Sequence, residues 1–360
     1  MDRPLGFARR IANRDMQEKC RMRYSKLGDS GLIVSKLAFG SMTLGATWKG
    51  ALAGIDGAAG DALVAQALDA GINFFDTADV YHFGESEVLL GKALGARRDE
   101  AVIATKVGMR TSASLSNSGL SARHIHGSID ASLKRLGTDR VDVYICHRPD
   151  PLTPLEETLG ALDAVVRAGK ARYIGFSNWP AWLAAKAVAM QRANGLARFI
   201  TGQMSYSLLN RDIEHDYAPM ALDAGVGTMV WSPLAGGFLS GKYSREDPAG
   251  GNGRLATETF FEVDRDKGYR IVDALRPIAE ARGVQVAAVA LAWLLDRPSI
   301  ATAIIGFTSP AQFDANLAAA ELRLSDDEIA TLDAASAAFI PYPQSFIARF
   351  ESDARAKAIA

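Results

Sequence analysis

The sequence predicts an α/β chain folded as a (β/α)8 barrel of the TIM type, and three observations point there. Eight short apolar runs of strand type recur along the 360 residues. Amphipathic stretches of helical period separate most of them, the alternation expected of parallel β/α units. The first run leads into Phe39-Gly40-Ser41-Met42-Thr43-Leu44-Gly45, which does not fit the Gly-x-Gly-x-x-Gly spacing of an open doubly wound sheet. A closed barrel is favoured, and a chain of this length fits one such domain.

Taken in order, residues 1–22 read as a loosely ordered extension. They are rich in Arg but interrupted by Asp2, Asp15 and Glu18, and they lack the apolar stretch of a secretory signal. Arg23–Leu27 and Leu32–Ser35 flank a Gly-rich turn at Gly28 to Gly31 and predict an N-terminal β-hairpin. The barrel strands are expected at Lys36–Phe39, Ile72–Phe75, Ala101–Thr105, Val141–Cys146, Ala171–Phe176, Phe199–Thr201, Thr228–Val230 and Ala301–Ile305. Helical periodicity marks Asp61–Ala70, Ser86–Ala96, Ser121–Leu136, Leu155–Ala168, Ala181–Ala193 and Tyr269–Arg282. A last helix, Ser325–Ala338, opens with Ser325 and Glu328 at capping-box spacing. The barrel thus spans 23–340, with 341–360 as a C-terminal tail. Leu234 to Gly268 is a long Gly-rich loop after strand seven, and its position predicts a cover over a bound cofactor.

Composition narrows the function. A net charge of −1 and pI near 6.5 give no electrostatic footprint for nucleic acid or an anionic membrane. No apolar stretch reaches the roughly 18 residues of a membrane span. Two isolated cysteines, Cys20 and Cys146, predict a reducing, cytoplasmic setting and not a disulfide framework. His124 and His126 lie two apart on a helix and so face different ways, and no Cys/His cluster has zinc spacing; no metal is expected. The partner is expected to be a small diffusing molecule. Homo-oligomerisation is left open.

In a barrel, the strand ends line the active-site mouth. The expected strands end in Asp76, Lys106, His147, Ser177-Asn178, Gln203, Trp231-Ser232 and Gly306. Asp76 and Lys106 lie on adjacent strands, where a carboxylate keeps a buried ammonium charged. Tyr81 follows five residues after Asp76; a nearby ammonium stabilises its phenolate and is expected to bring a pKa of about 10 toward the working range. His147 offers an N–H to a carbonyl oxygen. These are parts for protonating a carbonyl oxygen as hydride reaches its carbon. Ser177, Asn178 and Gln203 suit a carboxamide, and Trp231 a flat ring. Ser232, Gly236, Gly237 and Lys242 suit a pyrophosphate.

These residues sit in longer stretches: NFFDTADVY at 73–81, GESEVLLGKAL at 84–94, ATK at 104–106, GTDRVDVYICHRPDP at 137–151, GKARYIGFSN at 169–178, WSPLAGG at 231–237 and IIGFTSPAQFDAN at 304–316. Through them the chain resembles the aldo-keto reductase superfamily from about Met22 to Ala338. The resemblance implies an NAD(P)H-dependent oxidoreductase interconverting aldehydes or ketones and alcohols, with a catalytic tetrad of Asp76, Tyr81, Lys106 and His147. It implies cofactor contacts from Asp76, Ser41 and Met42, from Ser177, Asn178, Gln203 and Trp231, and from Ser232, Pro233, Leu234, Gly236, Lys242 and Arg254. It also implies adenosine-side contacts from Gly306, Thr308, Gln312 and Asn316. NADP(H) is the implied cofactor, with NAD(H) admitted because Thr308 stands where many relatives carry an Arg, and a neutral hydroxyl cannot replace a guanidinium on a 2′-phosphate. Ala315 stands where many relatives carry a Glu that contacts adenine. His82 replaces a Gly common after the tyrosine and is expected to narrow or polarise the substrate mouth. The stretch WSPLAGG with Gly241-Lys242-Tyr243 is similar to the cytoplasmic β subunits of potassium channels, which implies a second reading: a cofactor-binding regulatory or assembly module with little turnover.

Overall fold

The structure, a computed structural model, describes residues 22–48, 54–55, 57–251, 255 and 263–350. Strands β1 (Tyr24–Lys26) and β2 (Ile33–Ser35) form the antiparallel hairpin. The next eight strands close a parallel barrel: β3 (Leu37–Gly40), β4 (Phe74–Asp76), β5 (Val102–Val107), β6 (Val141–Cys146), β7 (Ala171–Ser177), β8 (Phe199–Ser205), β9 (Gly227–Trp231) and β10 (Ile300–Ile305), with β10 pairing back onto β3. Helices ring it in alternation with the strands: α1 (Gly57–Asp69), α2 (Glu85–Leu94), α3 (Ala122–Leu136), α4 (Leu155–Arg167), α5 (Ala181–Ala193), α6 (Tyr217–Ala224), α7 (Arg265–Arg282), α8 (Val286–Leu295), α9 (Pro310–Leu317), α10 (Asp326–Ala335) and α11 (Gln344–Phe350).

Side chains alternate along each strand, and the alternation places the site. One set, Phe74, Ala104, Val143, Ile145 and Met229, fills the barrel interior together with Leu27 and Val34 from the hairpin. The other set, including Phe75, Ile103, Tyr144 and Phe176, packs outward beneath the helices. Two residues further along each inward row the pattern turns polar: Phe74 gives way to Asp76, Ala104 to Lys106 and Ile145 to His147. Register aligns the rows, with Asp76 beside Ala104 and Lys106 beside Ile145.

Several expected boundaries move. Asp76, Lys106, Gln203 and Trp231 lie inside their strands and not beyond them. Their polar groups find partners across the barrel mouth, so the ladder continues where polarity alone would end it. Four helices lie outside the stretches of helical period: α6, α8, α9 and α11. Every residue of α8 after the half-buried Val286 is buried, and a helix apolar all round shows no amphipathic period. The capping box at Ser325 and Glu328 is present at the start of α10. Met22, expected in the N-terminal extension, is packed in the core. Cys20 and residues 1–21 lie outside the described residues, as does the end of the tail, 351–360. Among the described residues no single helix is long and apolar enough to cross a membrane.

Candidate active site

Five side chains meet at the mouth: Asp76, Lys106 and Gln203 on three strands, and Tyr81 and His147 on the segments that follow β4 and β6. Lys106, wholly buried, donates from Nζ to Asp76 Oδ2 at 2.6 Å, to the Thr77 carbonyl at 2.8 Å and to the Tyr81 hydroxyl at 3.2 Å. Gln203 reaches across from β8 and donates Nε2 to Asp76 Oδ1 at 2.8 Å. The carboxylate therefore has a partner on each oxygen, and the ammonium has three acceptors, which is what a buried ion pair requires. The His147 ring stands edge-on to Tyr81, centroids 5.8 Å apart.

Burial works against every charge here. In Asp76 it prevails and lifts the carboxyl, with Lys106 and Gln203 pulling back. In Lys106 burial is outweighed by Asp76 and Tyr81 together, so the ammonium is held. The 2.6 Å contact and the complete set of partners fit an ionised pair. For Tyr81 the expected net lowering is reversed. Lys106 does pull the phenol down, but burial pushes it up more strongly, and the net direction is upward. The phenol is thus held protonated, the form a proton donor needs. His147 is pushed down to about 3, first by burial and then by the Lys106 and Arg148 charges, so its imidazole is neutral across the physiological range.

The segment 84–94 explains its own residue pattern through what each side chain holds. Glu85 Oε2 accepts from the Ala46 and Thr47 amides and the Thr47 hydroxyl. Ser86 pairs with the Ser41 hydroxyl at 2.8 Å and also contacts Thr77 Oγ1 at 3.3 Å. Buried Glu87 binds Thr105 Oγ1 at 2.5 Å and Arg135 Nε at 2.6 Å. The segment ties the loops after β3 and β4 to the strand that carries Lys106.

His82 does not face the mouth, which corrects the expectation that it narrows or polarises it. His82 and the exposed Phe83 adopt left-handed backbone angles, φ 49° and 59°. That turn buries the His82 ring beneath the loop after β3. Its Nδ1 accepts from the Trp48 amide at 3.1 Å, and its ring stacks on the Trp48 indole at 4.6 Å. A side chain at Gly45 would collide with the same ring. The residue presented to Tyr81 is Trp48, edge-on at 6.2 Å. Its assignment requires the fold: the contact depends on a turn of the chain 34 residues away.

The rim residues expected to contact a nicotinamide are joined to one another. Trp231 Nε1 donates to Asn178 Oδ1 at 3.0 Å, Asn178 Nδ2 donates to Ser177 Oγ at 3.0 Å, and Ser177 Oγ donates to the Gln203 carbonyl at 3.0 Å. Through Gln203 this chain ends on Asp76. Ser232 and Ala235 to Gly237 all have positive φ, and Ser232 Oγ accepts from the Gly236 amide at 3.1 Å. The exposed Lys242 amine lies by Gly237, with no carboxylate partner among the described residues. Pro233 is buried in the same turn and Leu234 is half-buried. Gly306 is exposed with open space around it; beyond it Thr308 donates to Gln312 Oε1, Ser309 caps α9, and Asn316 is buried. Met42 is half-buried at the mouth, whereas the Ser41 hydroxyl is turned into its contact with Ser86. Arg254 lies outside the described residues. An indole face, a cation without an ion pair among the described residues and glycines along one rim fit an extended dinucleotide.

A sequence model of the Aldo/keto reductase family matches residues 36–337. The chain is 37% identical over 311 residues to a probable voltage-gated potassium channel subunit beta of Oryza sativa subsp. japonica, covering 84% of this chain and 92% of that protein. A putative subunit of the same description from Schizosaccharomyces pombe is 40% identical over 308 residues, 82% and 87% of the two chains. The versiconal hemiacetal acetate reductase of Aspergillus parasiticus is 36% identical over 338 residues, 87% and 96% of the two chains.

Proposed function

Because the chain belongs to the aldo/keto reductase family, we propose that it interconverts aldehydes or ketones and alcohols with NADP(H), NAD(H) being admitted, and that Tyr81 is its general acid and base. The observation that carries this reading is Lys106 Nζ, 2.6 Å from Asp76 and 3.2 Å from the Tyr81 hydroxyl. A bound reduced nicotinamide supplies the hydride. Asn178, Trp231 and Gln203 would hold its ring end, Lys242 its phosphates, and Thr308, Gln312 and Asn316 its adenosine end.

In the reduction, the substrate oxygen accepts from the Tyr81 hydroxyl and from the neutral His147 imidazole. As the proton leaves, the phenolate forms beside the Lys106 ammonium, whose attraction is greatest at that moment. Asp76 keeps the ammonium charged, and Gln203 keeps Asp76 in place. Trp48 and Tyr81 form a flat-walled approach, which suits planar or ring-bearing carbonyl compounds.

The test is Tyr81→Phe, which removes the transferable proton together with the oxygen that accepts from Lys106, and keeps the ring. Carbonyl reduction should fall by about 10²-fold or more, while dinucleotide binding, followed by quenching of tryptophan fluorescence, should persist. Full activity would mean a different donor. The names of the channel-subunit relatives support a second reading, an assembly module that retains the cofactor. Tight dinucleotide binding with negligible turnover of any carbonyl by the unmodified protein would favour it.

A further inference from the structure

Between Asp76 and Tyr81 the loop carries a carboxyl that the mechanism above does not use. Asp79 is 3% exposed, and neither of its oxygens has a well-aligned hydrogen-bond partner among the described residues; the N–H of Val80 acts on it only weakly. Its own amide donates to the Lys106 carbonyl at 3.3 Å, which fixes it against the strand bearing the ammonium. The groups facing it come from every element around it: Tyr81 on its own loop, Glu87 on α2, Arg135 on α3, Lys106 on β5 and Tyr144 on β6.

The charges in this region do not balance if all are ionised. Asp76, Asp79 and Glu87 are buried carboxyls, and the cations facing them are Lys106 and Arg135. Lys106 is engaged by Asp76 at 2.6 Å and Arg135 by Glu87 at 2.6 Å. An ionised Asp79 would be a buried anion with no partner, and a proton relieves that cost. Consistently, burial and then the Glu87 charge push Asp79 up to about 8.

We propose that Asp79 is a positioning residue for the proton transfer, carried as a neutral acid so that Asp76 is the one carboxylate acting on Lys106 and the rest of the ammonium's field falls on the Tyr81 oxygen. The inference rests on the reading of Tyr81 as acid and base. An ionised Asp79 adds a second negative charge beside Lys106 and makes the Tyr81 phenolate harder to form. The effect falls on alcohol oxidation at alkaline pH, where the phenolate is the base that takes the alcohol's proton. The proton count is otherwise unchanged: Tyr81 gains the proton that the alcohol loses.

The experiment compares Asp79→Asn with the unmodified full-length protein in dinucleotide-dependent alcohol oxidation across pH. At about pH 6.5, where Asp79 is neutral, the two rates should agree within about twofold; at about pH 9.5 the Asn variant should be faster by about three- to tenfold, up to one unit of Tyr81 acidity. Superimposable profiles, or a uniform loss at every pH, would overturn the proposal. An infrared difference spectrum of the unmodified protein between the same two pH values needs no variant: it should show a buried protonated carboxyl losing its proton. No such band would equally overturn it. Absence of any turnover by the unmodified protein is a separate result, and it would bring down the reading of Tyr81 itself.

Discussion

Asp79 and His147 pull the pH dependence of stability in opposite directions. The Asp79 carboxyl is raised from 3.8 to about 8, burial being the main cause. The folded chain therefore holds a proton that the unfolded chain has released between those values, and stability is lost as pH rises through that window. His147 is lowered from 6.5 to about 3, again mainly by burial. Here the unfolded chain binds the extra proton, so stability is lost as pH falls below 6.5. From about pH 4 to 6.5 the two slopes cancel. From about pH 6.5 to 8 only the Asp79 slope remains, on the order of 1.4 kcal/mol per pH unit. Denaturant unfolding at a series of pH values should show Asp79→Asn more stable than the parent near pH 8 and its loss of stability over that interval reduced. A variant less stable than the parent at every pH would mean that the carboxyl makes contacts worth more than its burial costs. A residue that weakens the fold while tuning the site is where local and global demands conflict.

The segment Glu85–Leu94 and the loop after β3 act as one clasp. Glu85 takes three donors from Ala46 and Thr47, and His82 takes the Trp48 amide and, through its carbonyl, the Thr47 hydroxyl. Glu85→Gln keeps the shape but weakens charge-assisted bonds. Amide exchange at Ala46 to Trp48 should quicken by about tenfold or more, as expected for a loss of over 1 kcal/mol of local stability. KM for a ring-bearing aldehyde should rise with kcat nearly unchanged, because Trp48 shapes the approach and transfers no proton. A fall in kcat at constant KM would place the clasp in the chemistry. The same element shows what sequence could and could not reveal. Period-two rows carried Asp76, Lys106 and His147 to the mouth in plain view, each polar residue ending an apolar run. Helix α3 was legible from Ser121 to Leu136 because one face is apolar and Ser121 caps it. Helix α8, buried from Ala287 to Leu295, carried no such period. The meeting of Asp79 with Glu87 and Arg135, and of Trp48 with His82, depends on tertiary approach and leaves no local pattern. The net direction at Tyr81 needed burial as well as neighbours, and only the folded chain supplies it.

At the scale of the whole barrel, stability and chemistry occupy opposite ends of one interior stack. Leu27 and Val34 on the hairpin enter that stack at the base, and Phe74, Ala104 and Ile145 continue it to within two residues of Asp76, Lys106 and His147. The hairpin is seated closely: Gly28, at φ 60°, lies so near the Ile200 and Gly225 carbonyls that no side chain fits, and the Asp29 amide donates to the Gly225 carbonyl at 2.9 Å. Leu27 is fully buried, so Leu27→Ala removes apolar contacts and leaves a cavity, at a cost of about 2–5 kcal/mol. Two outcomes differ in what they say about the molecule. If the stack relaxes locally, the unfolding midpoint falls while kcat/KM at 25 °C stays within about twofold, because the tetrad is held by its own bonds to Thr77 and Gln203 and by the segment 84–94. If the interior moves as a unit, as close packing allows, the displacement reaches Lys106 and kcat/KM falls by about tenfold or more, the scale on which small misplacements of reacting groups are felt. The first outcome is expected. Lys106 has three hydrogen bonds to side chains and backbone of the β4 strand end and loop, whereas the methyl groups below it supply only dispersion, which constrains direction weakly.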